Sequence, residues 1–462
     1  MKTHSFFSIV VLMALSTGGL LAADLDAGQK PKTPPPKPFH NIRFEEDWSR
    51  PGGGPAYKRI QLGDQVLLGV GGQIRMRAEL WDNFGFSNGK GRDDGFGLSR
   101  VRLHTDLYVG PHFRLFAEGM SSLATTRDLP GGQRTLEVDS IELHNAIADL
   151  RFSASNDTKI TFRLGRQEMQ YGKQRLVSPL DWANTRPRTF DAARAIVEAG
   201  GWRVDGFWGR QVRVRKYAVN PNTPANTFFG TYVSGKFKDS SPVFDFYWLG
   251  LKRPDSQDEQ RHTMGGRISG KVTSGLDYDA EAAYQVGDWK SGDVRAWMFA
   301  SQFGWSFYSL SPTPRVFLGF DYASGDRDPT DNRIGTFDQL FPLGHAFLGS
   351  IDVVGRQNIV DLSSGVEAPV LRRTTARFET HFFWRAREED ALYNAGGGVV
   401  RGGFPGSPLR VGEELGLTLN HSLLQGTVLS WGVYHFIAAD FIEETGPADH
   451  TTFGFVSLQY TF

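Results

Sequence analysis

Arginine is the residue type in this 462-residue sequence whose number and spacing point to chemistry. The basic set holds 37 arginines against 14 lysines. A planar guanidinium binds carboxylate or phosphate in a two-pronged geometry that an ammonium cannot reproduce. Many of these arginines fall at every second position. Arg75 and Arg77 alternate with Ile74, Met76 and Ala78, Arg102 with Val101 and Leu103, and Arg163 with Phe162 and Leu164. Arg203 and Arg213 repeat the arrangement beside Trp202, Val204 and Val212, and Arg377 beside Phe378. Arg194 joins them from the run Ala192-Ala193-Arg194-Ala195-Ile196. Acids share the same polar faces: Glu79, Asp106, Glu142, Glu198, Asp205 and Glu379. If every arginine pairs with an acid, the set braces a wall. If some also crowd at one depth of an enclosed passage, they attract anions and repel cations. Both readings stay open at this point.

Other chemistries find little support. There is no HExxH, no Gly-x-Ser-x-Gly elbow and no P-loop, and the tract Gly396-Gly397-Gly398 has no helix pattern after it. The absence of cysteine excludes disulfides, thiol catalysis and Cys-bound zinc. Equal numbers of basic and acidic residues, 51 each, exclude nucleic-acid binding by bulk charge. Asp326, Asp328 and Asp331 are spaced somewhat like a calcium loop but lack its glycine and distal glutamate, so a structural turn and a weak loop-bound calcium are the two readings. No other cofactor is implied, and no enzymatic activity is expected.

The elements that must position the arginines follow from the period of two. Leu68, Val70, Ile74, Met76, Ala78 and Leu80 share one face, and Gln73, Arg75, Arg77 and Glu79 the other. Residues 101–109, 159–165, 202–215 and 377–385 repeat the alternation. A soluble sandwich would turn the apolar face inward, whereas a transmembrane barrel turns it to lipid and the polar face to the lumen. Several charges per strand favour the barrel. So do the aromatics Trp81, Trp182, Trp202, Trp248, Trp289, Trp297, Trp305 and Trp384, read as interfacial girdles. Eighteen segments fit: 65–80, 97–110, 112–121, 137–152, 159–169, 190–199, 201–216, 226–237, 242–252, 261–273, 276–288, 294–308, 313–323, 356–369, 371–386, 409–421, 425–438 and 452–462. Long connections are expected at 82–96, 170–189, 324–355 and 387–408, and at least one of 170–189 and 324–355 is expected to fold over or into the mouth and narrow it.

Lys2, the apolar run Phe6 to Leu15 and Ala22-Ala23 have the three parts of a secretory signal, so residues 1–23 read as a leader. Residues 24–40 read as a Pro-rich periplasmic linker outside the barrel, and 41–462 as one all-β domain in the outer membrane. The closing run Leu458-Gln459-Tyr460-Thr461-Phe462 is the terminal pattern that barrels present to their assembly machinery. A monomer in outer-membrane lipid is expected.

Three stretches then resemble the alginate export family. They are Phe44-Glu45-Glu46-Asp47-Trp48 with 58–63 and 68–79; Arg163-Leu164-Gly165-Arg166-Gln167-Glu168 running on to Phe190-Asp191-Ala192-Ala193-Arg194; and Tyr322 to Asp352 with Phe337-Asp338-Gln339-Leu340-Phe341-Pro342. The resemblance implies an eighteen-stranded barrel whose arginine-lined constriction passes a polyanionic uronate chain. It would place Arg75 or Arg77, Arg102, Arg166 and Arg194 in that constriction. Residues 409–462 depart from it, holding Arg410 alone. A nutrient porin for small organic anions or sugars is the runner-up, and a lipid-modifying barrel enzyme a more distant third.

Overall fold

The computed structural model describes residues 39–49, 54–239, 241–256, 258–272, 275–290 and 292–462, so the leader and residues 24–38 lie outside the described residues. The alternating segments form antiparallel strands. The first six are β1 Val66–Asp82, β2 Asp94–Val109, β3 Phe113–Ala124, β4 Asp139–Ser155, β5 Thr158–Glu168 and β6 Thr189–Ala199. Next come β7 Trp202–Val212, β8 Asn222–Gly235, β9 Val243–Arg253, β10 Glu259–Lys271, β11 Leu276–Trp289 and β12 Gly292–Ser306. The last are β13 Arg315–Ala323, β14 Ile359–Leu371, β15 Thr374–Arg385, β16 Arg410–Leu424, β17 Thr427–Ala438 and β18 Thr451–Thr461. Of the twenty strands in the sheet, two are short additions, Ile60–Gly63 along β1 and Arg333–Ile334 along β12. The other eighteen each pair with their sequence neighbour, and β18 pairs with β1, placing Gln459 opposite Arg75 and Ser457 opposite Arg77. That pairing closes the barrel. Each of the eighteen expected segments coincides with one strand.

The faces are those of a membrane barrel. Leu103, Phe162 and Phe382 are 55%, 49% and 37% exposed, while Arg102 on the opposite face is fully buried. At one end the connections are tight, as at 156–157, 200–201, 372–373 and 425–426. Gly200 and Gly201 both take positive φ (56° and 81°), the two-residue turn whose twist matches that of its strands. At the other end lie 83–93, 125–138, 169–188, 324–358, 386–409 and 439–450. Two of these, 125–138 and 439–450, were not among the expected long connections; the second carries a short helix, α1 (Asp440–Thr445).

The lumen is far from empty. Long-end connections fold inward and build an apolar core against inward-facing wall residues, with Phe341 of the connection 324–358 packed on Phe190 and Phe228 of the wall. Trp81 and Trp182, expected in the outer girdles, lie inside instead, Trp81 against Phe84 and Phe453 and Trp182 against Phe455. Trp248, Trp297 and Trp305 do sit on the outer face. The linker expectation also needs correction at its end. His40 caps a segment, Phe39–Trp48, that enters the short-turn end of the barrel, where Ile42 and Phe44 pack on Phe116 and Ile147. Apolar side chains had little reason to stay in water when the lumen wall offers Phe116 and Ile147.

Candidate functional site

Strand β1 sends Arg75 and Arg77 into the lumen at mid-depth, and β2 sends Arg100 and Arg102 beside them. The connection 169–188 descends to meet them. Arg75 donates to the carbonyls of Asp181 and Ala183 at 2.9 and 3.0 Å, and Arg77 to that of Trp182 at 2.7 Å. Arg100 donates to the Asp181 carboxylate at 2.8 Å. Arg186, from the same connection, ties Asp181 to Glu168. Burial alone would raise the Asp181 carboxyl, but Arg186, Arg100 and Arg75 outweigh it and hold the group well below the usual carboxylate range. Asn184 anchors the connection by donating to Ser99, Leu123 and Glu137 carbonyls at 2.9 to 3.1 Å.

The second inward connection, 324–358, locks onto the first. Phe341 N–H donates to the Leu176 carbonyl at 2.9 Å, and Val177 forms a parallel bridge with Phe341. His345 stacks on Trp182 (3.8 Å between centroids, 8° between planes), and the Arg77 guanidinium lies 4.1 Å from the Trp182 ring. A cavity of about 460 Å³ remains beside this stack. Its wall comprises Arg75 and Arg77, Arg377 and Glu379 from β15, Asn420 from β16, Ser430 and Tyr434 from β17, and Ser457 and Gln459 from β18. Arg377 pairs with Glu379 at 2.8 Å and keeps 30% of its side chain exposed.

The remaining arginines separate by depth and by partner. Arg102 is tied to Glu118 at 2.8 Å, and His144 approaches Glu168 at 2.9 Å. Nearer the short turns, Arg194 pairs with Asp205 at 2.8 Å and Arg163 with Asp149 at 2.7 Å. Arg203 reaches Asp205 at 3.4 Å and Glu198 at 3.8 Å. Glu79 holds Arg77 at 2.7 Å, and Asp106 holds Arg114 at 2.6 Å. Arg213 lies past the end of β7 and is exposed.

Arg166 is a correction. It shares its face with Phe162 and Leu164, opposite to Arg163, and its partners are Asp191 at 2.8 Å and Glu142. A register of two cannot send both Arg163 and Arg166 inward. The acidic loop is another. Asp328 accepts from Thr330 N–H and hydroxyl at 3.0 and 2.6 Å, Asp331 from Arg333 N–H at 2.6 Å, and Asp326 from Asp328 N–H at 3.4 Å. These carboxylates cap their own turns. Among the described residues, no group of three or more acidic or histidine side chains is placed to hold a metal.

The family model for alginate export matches residues 66–455, nearly the whole barrel. This chain belongs to the alginate export family. As a member it is an integral β-barrel of the outer membrane and a channel, not an enzyme. Solved structures of similar fold include Pseudomonas aeruginosa OccK11 (OpdR), at 14% identity and TM-score 0.55, with 85% of this chain and 95% of that chain covered. P. aeruginosa OccK8 (OprE) has 12% identity, TM-score 0.57 and coverage of 86% and 98%. P. aeruginosa OccK2 (OpdF), solved in complex with glucuronate, has 13% identity, TM-score 0.56 and coverage of 85% and 98%. No curated protein matches the sequence. The short-turn end is therefore periplasmic and the long connections extracellular.

Sequence reasoning missed Arg100, Arg186, Asp181 and His345 as site residues. Arg100 was within reach, since it sits two residues from Arg102 on the same face. The others lie in aperiodic connections, where spacing carries no directional signal.

Proposed function

We propose that this alginate export family member is a passive, anion-selective channel for small carboxylated solutes, with monomeric uronate the class that fits best. The observation carrying this reading is the convergence of Arg75, Arg77 and Arg377 on one cavity. Arg75 donates to neutral loop carbonyls, so much of its positive charge faces the passage, whereas Arg77 shares its charge with Glu79 and Arg377 with Glu379. Asn420, Ser430, Ser457 and Gln459 add neutral donors and acceptors suited to sugar hydroxyls. The glucuronate held by OccK2 supports the same ligand class. The family's name favours a second reading, passage of a polyuronate chain, but two connections already occupy the lumen at mid-depth.

Planar-bilayer recording tests the selectivity. The unmodified protein should prefer anions at low salt, and the preference should fade as salt rises, because screening acts over about 8 Å at physiological ionic strength. Replacing Arg75, Arg77 and Arg377 with Gln should reduce or reverse it. Cation preference in the unmodified protein would overturn the proposal. Liposome swelling separates the two solutes: glucuronate entry without oligouronate entry supports the monomer, and equal entry of both supports the polymer.

A further inference from the structure

The periplasmic mouth holds a carboxylate that belongs to the chain itself. Segment Phe39–Trp48 crosses the lumen side of β2 to β7, and its Glu45 accepts from Arg163 at 2.9 Å and from Arg203 at 3.4 Å. Burial would raise the Glu45 carboxyl, yet Arg163, Arg203 and Arg194 together depress it far below its ordinary range. A cavity of about 290 Å³ opens beside Glu45, bordered by Asn41, Tyr171, Arg194, Arg203 and Tyr232. That is the small end of ligand pockets, which run from about 300 to 1,000 Å³. Tyr171 and Tyr232 stack along it (4.5 Å, 11°). The Tyr171 hydroxyl and the Arg194 Nε are buried without a hydrogen-bond partner among the described residues. Unpaired donors of this kind are costly unless something takes them up.

Side-chain contacts, and no strand pairing, hold the segment that supplies Glu45. Its apolar anchors are Ile42 and Phe44. Beyond Glu45, Arg114 donates to the Phe44 and Glu46 carbonyls at 2.7 and 3.0 Å, Arg186 to the Asn41 side chain at 2.8 Å and Arg43 to the Phe462 carbonyl at 2.8 Å, while Lys58 lies 3.7 Å from Glu46. It contributes no strand to the barrel, so the wall does not depend on it.

We propose that Phe39–Trp48 is a displaceable plug, and that Glu45 fills a carboxylate site of Arg163 and Arg203 which a solute carboxylate takes when the segment leaves. Withdrawal would take one negative charge from the group that Arg163, Arg194 and Arg203 form with Asp149, Asp205 and Glu198, and leave Arg163 and Arg203 each short of one carboxylate partner below the mid-depth arginines. The plug stands on its own contacts; the identity of the competitor rests on the anion-channel reading above.

The sequence contains no cysteine, so an introduced pair reports without ambiguity. Asn41 and Gln170 side chains are hydrogen-bonded at 3.0 Å, which makes N41C/Q170C the tether. Oxidised, this variant should show fewer openings in planar bilayers than the same molecules after reduction. Identical conductance and open probability in the two states would overturn the plug. Glucuronate block of chloride current tests the shared site. Glu45→Gln should lower the half-blocking concentration about fivefold, equivalent to about 1 kcal/mol. An unchanged value would overturn the shared site. Reversal potentials of the reduced channel separate this from the earlier reading, because cation preference counts against the anion channel while oxidation-insensitive conductance counts against the plug.

Discussion

A guanidinium that donates to a carbonyl oxygen has satisfied its N–H groups without losing its charge. That distinction separates Arg75, bonded to the carbonyls of Asp181, Trp182 and Ala183, from Arg77, which also meets the Glu79 carboxylate, and from Arg102, whose partner is the Glu118 carboxylate. It predicts different outcomes for the same substitution. Arg75→Gln should weaken anion preference and leave the barrel assembled. Arg102→Gln should chiefly cost stability, about 3–5 kcal/mol, because it takes the arginine partner from the buried Glu118 and leaves it the Asn145 amide. Urea unfolding beside reversal potentials would check both, and equal stability losses would contradict the distinction. Asp181 adds a pH dependence. Its folded-state carboxyl is held below the ordinary value, so its stabilising effect is complete above the ordinary carboxylate pKa and lost as pH falls through the lowered one. Conductance states set by the 169–188 connection should therefore persist through pH 4, a normal carboxylate midpoint. A transition centred near that pH would show that Asp181 does not hold the connection.

At the scale of elements, strands and connections were unequally legible. All eighteen strands could be found because a period of two survives wherever one face meets lipid and the other meets charge. The same period should have excluded Arg166, which is three residues from Arg163; the family resemblance brought it in. Connections have no period. Residues 170–189 and 324–355 were expected to narrow the mouth on length and composition alone, and the ends 169–188 and 324–358 do enter the lumen. Their partners, such as the Trp182–His345 stack, join positions far apart in sequence, which no local pattern encodes. Asn184 shows how one such residue fixes an element. Asn184→Ala would remove the amide that bridges the Ser99, Leu123 and Glu137 carbonyls, at a total of about 1–3 kcal/mol. Hydrogen exchange should then rise across 169–188 while β2 and β3 stay protected. Unchanged exchange there would mean that Arg186 and Asp181 suffice to hold the connection.

For the whole molecule, composition and architecture are connected through lipid. A chain with 51 basic and 51 acidic residues can span a membrane only if those charges turn away from the hydrocarbon, and here the polar faces close around a lumen filled by inward connections. The outer face then carries its cost by depth. Leu103, at 55% exposure, lies midway along β2, whereas Val109, at 40% exposure, ends the same strand beside a periplasmic turn. Both point outward and neither touches the arginine network, so a lysine at either position tests the solvent and not the fold's internal pairing. Leu103→Lys should destabilise the barrel by about 2–4 kcal/mol, and Val109→Lys by about 0–1 kcal/mol, since a charge near the interface can reach water. Reversible urea unfolding in lipid vesicles reads both. Equal costs at the two depths would mean that the outer face is not graded by a bilayer, and the assignment of inside and outside on which the arginine lumen depends would fall with it.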